Sequence, residues 1–251
     1  TRQLTALFDD AGDIGLGHLR SRAARKAAER WAADVIEQIR SGQLSVPDLS
    51  AASVIANYQE PDGQPMSTRI AAVELLNVLR PTVATAVYIT FVGHALDANP
   101  DWRERLASGD QGEDRAFIEE VRRHYPFFPA VTAIVRHDFE WQGHRFPKGR
   151  RALLDLYGTN HDPRVWEEPS RFHPERFLDE EPDAFAFVPQ GGGDPAVHHR
   201  CPGEPISTRL MDVALDQLAR RMSYSPLKLG RSVDFGRLPA LPGGGYPVRV
   251  L

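Results

Sequence analysis

The sequence predicts a mainly α-helical fold with a small β portion, an α+β arrangement, and three observations predict it. Two long helical patterns, His18 to Arg40 and Ser67 to about Asn99, fill the first half. The interval from Val131 to Tyr157 reads as a loosely alternating β segment broken by glycine turns. A glycine-rich loop from Phe187 to Glu204 then leads past Cys201 into a last helix. The 251 residues allow one or two domains with a substantial core. Thirty Lys and Arg against 34 Asp and Glu give a net charge of −4, so no basic excess points to nucleic acid or to an anionic membrane. Residues Thr1 to Asp10 lack a basic leader with an apolar core. The longest weakly polar stretch, Val83 to Ala98, is interrupted by Thr85, Thr90, His94 and Asp97, so no membrane span is expected. A single cysteine fits a reducing compartment, and a cytoplasmic location is the expectation.

The elements follow in order. From His18 to Arg40, Leu19, Ala23, Ala27, Trp31, Val35 and Ile39 recur at helical spacing, and Gly42 is the stop signal. Asp48 is expected to cap a shorter helix through Tyr58, and Glu60-Pro61-Asp62-Gly63 is turn chemistry. Ser67 to Asn99 is mostly apolar with Arg80-Pro81 at its middle. Proline inside a helix costs roughly 3 kcal/mol, and a guanidinium among Leu75, Leu76, Val78, Leu79, Val83 and Ala84 needs an anionic partner. Two readings stand on these residues alone. Either a kink directs a fixed positive charge into an apolar cavity, or Arg80 pairs with an internal carboxylate and Pro81 ends one helix and starts another.

A turn-rich stretch, Asn99 to Gly112, precedes a helix from Glu113 to Tyr125, on which Glu120 and Arg123 share a face. Phe127-Phe128-Pro129 leads into the β segment, where Val131 to Trp141 turns at Gln142-Gly143 and Ala152 to Tyr157 is a short strand. Asn160 to Trp166 reads as a turn and short helix in which Asp162 serves an Asx-type turn. From Glu204 to Met222 a helix is expected, with Ile206, Leu210, Val213, Ala214, Leu218 and Met222 on one side. The tail is turn-rich from Leu238 to Tyr246 and ends in a strand, Pro247 to Leu251.

The cysteine loop is where chemistry concentrates. Gly191-Gly192-Gly193 lets the backbone approach a bulky group, and Pro202-Gly203 forces a sharp entry into the helix. A helix N-terminus, Arg200 and His199 favour the thiolate of Cys201, the setting of a metal-bound or nucleophilic sulfur. A zinc site on His198, His199 and Cys201 has too few well-spaced ligands, and a cysteine hydrolase lacks a motif that places a base.

This loop, Phe187 through Gln190-Gly-Gly-Gly to His199-Arg200-Cys201-Pro202-Gly203-Glu204, resembles the haem-ligand loop of the cytochrome P-450 superfamily. Glu120-x-x-Arg123 with Pro126, and Phe172-His173-Pro174-Glu175-Arg176-Phe177, match two further motifs of that family in order. Where its monooxygenases usually carry an acid–alcohol pair, this chain has Arg80-Pro81, which looks like the fatty-acid peroxygenase branch. The resemblance implies a cytochrome P-450 fold, C-terminal portion, as a single haem-thiolate domain over residues 1–251, lacking the family's upstream helices. It implies haem b (iron protoporphyrin IX), with Cys201 as the metal ligand and His199 and Gly203 also in the cofactor site. Arg80 and Pro81 are the implied catalytic pair: Arg80 holds a fatty-acid carboxylate, which itself serves as the acid–base group. Phe127 and Phe128 are the implied contacts to the acyl chain, and Glu120, Arg123 and Arg176 take a structural role. Fatty acid and hydrogen peroxide are the implied partners, without a reductase; hydroxylation at the α or β carbon, or decarboxylation to a terminal alkene, all fit. The alternative is a truncated or degenerate haem-binding protein without turnover. One departure is His198, where the family usually has glycine, so crowding of the haem edge or an altered turn is expected.

Overall fold

The computed structural model describes residues 4–5, 16–179, 181–227, 232–236, 239–243 and 245–251. Leu238 and Gly244 of the expected tail turn, and most of the segment before residue 16, lie outside them. Two compact units divide between Ala86 and Val87, inside one long helix.

In the first unit, α1 spans Leu16–Arg40 and Gly42 follows at φ 75°, a left-handed conformation that glycine adopts without strain. Its buried line is Ala28, Ala32 and Ile36. Val35 and Ile39 of the expected stripe pack beside this line, but Leu19 and Trp31 are exposed, because the small alanines let the helix pack closely against Ala56, Ala71, Ala72, Leu75 and Leu76. α2 is Ala51–Ala56, and its cap is Ser50 rather than Asp48; the Ser50 side chain accepts the Ser53 N–H. Arg40 ties the unit together, donating to the carbonyls of Ala56 and Met66 at 2.8 and 2.7 Å.

α3 runs Thr68–Ala98 with Pro81 inside it, so Pro81 does not divide two helices. Its missing N–H leaves the Asn77 carbonyl without the usual helical donor. By length and composition alone α3 is apolar enough to cross a membrane, a test that buried core helices pass as well. In this structure Tyr88, Phe91, Val92, Ala95 and Leu96 are core residues of the second unit.

That second unit contains α4 (Pro100–Leu106), a helix within the stretch expected to be turns. Pro100 at its first turn and buried Trp102 and Leu106 account for it. α5 is Gln111–His124, capped by Asp110, whose carboxylate accepts from Gly112 and Glu113. β1 (Ala130–Ile134) pairs antiparallel with β4 (Arg151–Asp155), and β2 (Phe139–Trp141) with β3 (His144–Phe146) across Gln142-Gly143, both at positive φ. The strand expected to reach Tyr157 stops at Asp155, whose side chain accepts the Gly158 N–H and starts α6, Leu156–Asn160. His161 to Trp166 is a turn closed by Asp162, as the Asx reading had it. A short 3-10 turn covers Pro174–Phe177. α7 is Glu204–Asp216, followed by a π turn, Gln217–Arg221. Its buried residues are Glu204, Met211, Ala214 and Leu215; Ala214 lies on the expected face, while Ile206 and Val213 of that face are exposed. β5 (Tyr224–Pro226) pairs with β8 (Val248–Val250), and β6 (Val233–Asp234) with β7 (Leu241–Pro242).

Candidate active site

The cysteine loop folds back on itself. Phe187 anchors its start, buried with Ala116, Trp166 and Phe177. Gly191 takes φ 92°, and a Cβ there would lie 2.1 Å from the carbonyl oxygen of His199, so no side chain fits where the two arms cross. The Cys201 N–H donates to the Gln190 carbonyl at 2.9 Å and closes the crossing. Cys201 is a free thiol, half-buried, three residues ahead of the first residue of α7. Gly203, the residue before α7, would carry a Cβ 3.7 Å from Sγ; as glycine it leaves that side of the sulfur clear. His198 is exposed and turned onto its own loop: Nδ1 accepts from the Asp194 N–H at 2.9 Å, and the ring meets Phe185 edge-on at 5.3 Å. Its imidazole lies over Gly193, whose left-handed φ of 77° and missing side chain make the room. The turn thus accommodates histidine in place of glycine. The His199 side chain is exposed.

Behind the loop stands the ion-pair trio read from the sequence. Arg123 donates to Glu120 through Nε and Nη2 at 2.7 and 2.8 Å, with neither side chain exposed. The remaining donors of Arg123 reach the carbonyls of Asn160, Pro169 and Arg171, and the Arg176 Nε lies 3.2 Å from Glu120. Glu120 also accepts the His173 N–H at 2.8 Å. Asn160 links this trio to the loop, because its side-chain oxygen accepts the Val188 N–H at 2.8 Å. A buried ion pair held by this many hydrogen bonds fixes geometry more than it adds net stability.

A second network went unread in the sequence. Arg122, next to Arg123 in the chain, is 2% exposed and bonds Glu119, Glu204 and, at 3.4 Å, Gln190. Arg200 grips the same Glu204 at 2.8 and 2.6 Å through Nε and Nη2. Burial alone would raise the Glu204 carboxyl; hydrogen bonds from Arg200 and the charge of Arg122 outweigh it and hold the group below its ordinary range. The only available signal was the i, i+4 spacing of Arg200 and Glu204, which is common on any helix end. Tyr88 adds a third tether, its buried hydroxyl donating to the Pro189 carbonyl at 3.4 Å.

The other expected site residues are placed as follows. Phe127 is half-buried, stacked on Tyr88 at 4.4 Å and packed edge-on against Phe128 at 4.7 Å. Arg80, with Pro81, is exposed in the first unit, beside a shallow depression shared with Arg25, Glu29, Val73, Leu76 and Asn77. Its expected enclosure among apolar side chains is not found among the described residues: Arg80 is exposed, and charged and polar groups line the depression along with Val73 and Leu76. Among the described residues Arg80 has no ion-pair partner, and Glu29 is taken by Arg25 at 2.7 Å.

The described residues contain no group of three or more His, Cys, Asp or Glu side chains that could hold a metal ion, so the zinc alternative finds no ligand set. What they offer is one thiol, tied down through its own backbone, with a clear face beside it. That donor set fits a cofactor that brings its other ligands with it, as a haem does. The cytochrome P450 family profile matches residues 115–239. The solved structure of cytochrome P450SP alpha (CYP152B1) in complex with (R)-ibuprophen is 48% identical, with a TM-score of 0.90 over 100% of this chain and 61% of its own. Cytochrome P450EX alpha (CYP152N1), solved with myristic acid, is 36% identical at a TM-score of 0.85, over 100% of this chain and 61% of its own. Human cytochrome P450 2D6 is 30% identical over 208 residues, 80% of this chain and 40% of that protein.

Fold, loop and comparisons define a haem-thiolate protein of the cytochrome P450 type: the chain belongs to the cytochrome P450 family, whose cofactor is haem b. Within it, the likeness along the full length of the chain is to the CYP152 structures. The chain spans less than two thirds of those proteins and 40% of the human relative.

Proposed function

We propose that this chain is the haem-ligating portion of a fatty-acid peroxygenase driven by hydrogen peroxide. The observation that carries the reading is the pairing of two features in one chain: the thiol loop of the P450 family, and Arg80-Pro81 where an acid–alcohol pair is usual. A relative similar over the whole chain was solved with a fatty acid, myristic acid, which supports an acyl carboxylate as substrate.

Cys201 would hold the haem iron through its sulfur, just ahead of the first turn of α7. When bound, the haem supplies the iron on which peroxide is activated. His199 would hydrogen-bond a propionate of the bound haem, and Gly203 would keep the sulfur face free. Arg80 pairs with the substrate carboxylate by charge-assisted hydrogen bonds, while Pro81 interrupts the helical hydrogen bonding beside it. Phe127 and Phe128 contact the acyl chain. The carboxylate held by Arg80 takes and returns the peroxide proton, so neither an acidic side chain nor a reductase is needed. In hydroxylation one peroxide oxygen enters a C–H bond and the other leaves as water. In decarboxylation the acid and peroxide give the terminal alkene, carbon dioxide and two waters. Anchoring the carboxylate confines oxidation to the carbons beside it.

The test is peroxide-driven turnover of a long-chain fatty acid by the full-length protein. Arg80→Ala is expected to lose about 100-fold or more in rate, the scale of a lost positioning and acid–base contribution. A short carboxylic acid supplied as a decoy is expected to restore turnover of a neutral substrate in the wild type. Unchanged fatty-acid turnover in Arg80→Ala would remove the assigned role of the guanidinium.

A further inference from the structure

Glu204 is the point where two cations next to Cys201 meet. Its carboxylate is 7% exposed and receives Arg122 from α5 and Arg200 from the loop on the same oxygen, Oε1, with Oε2 completing the grip on Arg200 at 2.8 Å. Arg122 also bonds Glu119 and reaches Gln190, the residue whose carbonyl holds the Cys201 N–H. The four charges, Arg122, Arg200, Glu119 and Glu204, sum to zero. Two of them flank Cys201 at one and three residues' distance in the chain, in a partly buried setting where water screens little.

We propose that Glu204 is a positioning residue for Cys201: by bridging Arg122 and Arg200 it locks the cysteine loop to α5 and neutralises the cationic charge that would otherwise draw electron density from the thiolate. The assignment rests on the reading of Cys201 as the iron ligand. It makes a prediction about sign that packing alone does not. Glu204→Gln leaves the cluster at +1, and an added positive charge favours the reduced, more negative state of the centre. Arg200→Gln leaves it at −1 and favours the oxidised state. The double variant returns the sum to zero.

The experiment is the ferric/ferrous reduction potential of the full-length, haem-loaded protein, measured together with its ferrous–carbon monoxide spectrum. Glu204→Gln is expected to raise the potential, Arg200→Gln to lower it, and the double variant to restore it toward the wild-type value. If Glu204→Gln fails to retain haem, Arg200→Gln and the double variant still decide. Single variants that shift the potential in the same direction, or a double variant shifted further than either, would overturn the proposal and leave Glu204 a packing residue. A wild-type protein without a thiolate-haem spectrum would overturn it together with the reading of Cys201. A normal wild-type spectrum with potentials that ignore charge overturns it alone.

Discussion

Arg123 and Glu120 face each other one turn apart on α5, joined by two hydrogen bonds of 2.7 and 2.8 Å with no solvent on either side chain. The pair is an anchor. Glu120 also holds Arg176 and the His173 N–H, and Arg123 holds the Asn160 carbonyl while the Asn160 side chain holds Val188 of the cysteine loop.

Removing one partner strands the other as a buried charge, which costs about 3–5 kcal/mol. Glu120→Gln and Arg123→Ala are therefore expected to lower the denaturant midpoint strongly and to weaken haem retention. Arg25→Ala, which breaks an exposed pair with Glu29, is expected to leave both unchanged. Equilibrium unfolding in urea measures the contrast.

Two glycines of the loop are expected to differ sharply. At Gly191 a Cβ would meet the His199 carbonyl oxygen at 2.1 Å on a backbone of φ 92°, so Gly191→Ala must open the crossing that presents Cys201. At Gly203 the added Cβ would sit 3.7 Å from Sγ, ordinary contact, on a backbone of φ −86°. Gly203→Ala is expected to fold with near wild-type stability and to move the haem absorption, whereas Gly191→Ala is expected to lose haem. Spectra and haem-to-protein ratios of the purified variants distinguish them.

The loop and the long helix were legible in the sequence because each rests on local chemistry, glycines at a crossing and apolar periodicity, whereas the trio, with Arg176 on a separate turn, was legible only through the family resemblance. The second network was not, because Arg122 and Glu204 are 82 residues apart and their meeting depends on how α7 packs against α5. The helical faces of α1 and α7 were read in part: Val35, Ile39 and Ala214 do meet the core, whereas Leu19, Trp31, Ile206 and Val213 are exposed. Alanine at the contact and Trp31 or Ile206 in solvent invert the rule that large apolar side chains mark the core. Arg80 is exposed although Leu75, Leu76, Val78, Leu79, Val83 and Ala84 stand near it in the chain, because neighbours in sequence on a helix are spread around all of its faces. Asp155 as the cap of α6 was hidden inside a strand pattern that it terminates.

Acid is expected to destabilise the fold through His124. Burial, then the charge of Arg123, with smaller effects from His161, Arg176 and His94, hold its pKa down to about 3, and burial likewise lowers His161. Below about pH 6.5 the unfolded chain takes up protons that the folded chain refuses, so stability is complete above that value. For His124 it falls by up to about 1.4 kcal/mol per pH unit as pH drops toward the folded pKa. His124→Phe is expected to flatten the profile of unfolding free energy between pH 7 and pH 5; an equally steep profile in the variant would assign the acid sensitivity elsewhere.

The ferrous–carbon monoxide absorption spectrum of the full-length protein, beside that of Cys201→Ala, tests the central claim most directly. The wild type is expected to show the band of a thiolate-ligated haem and the variant to lose it. A wild type that binds no haem, or a band that survives replacement of Cys201, would contradict the account.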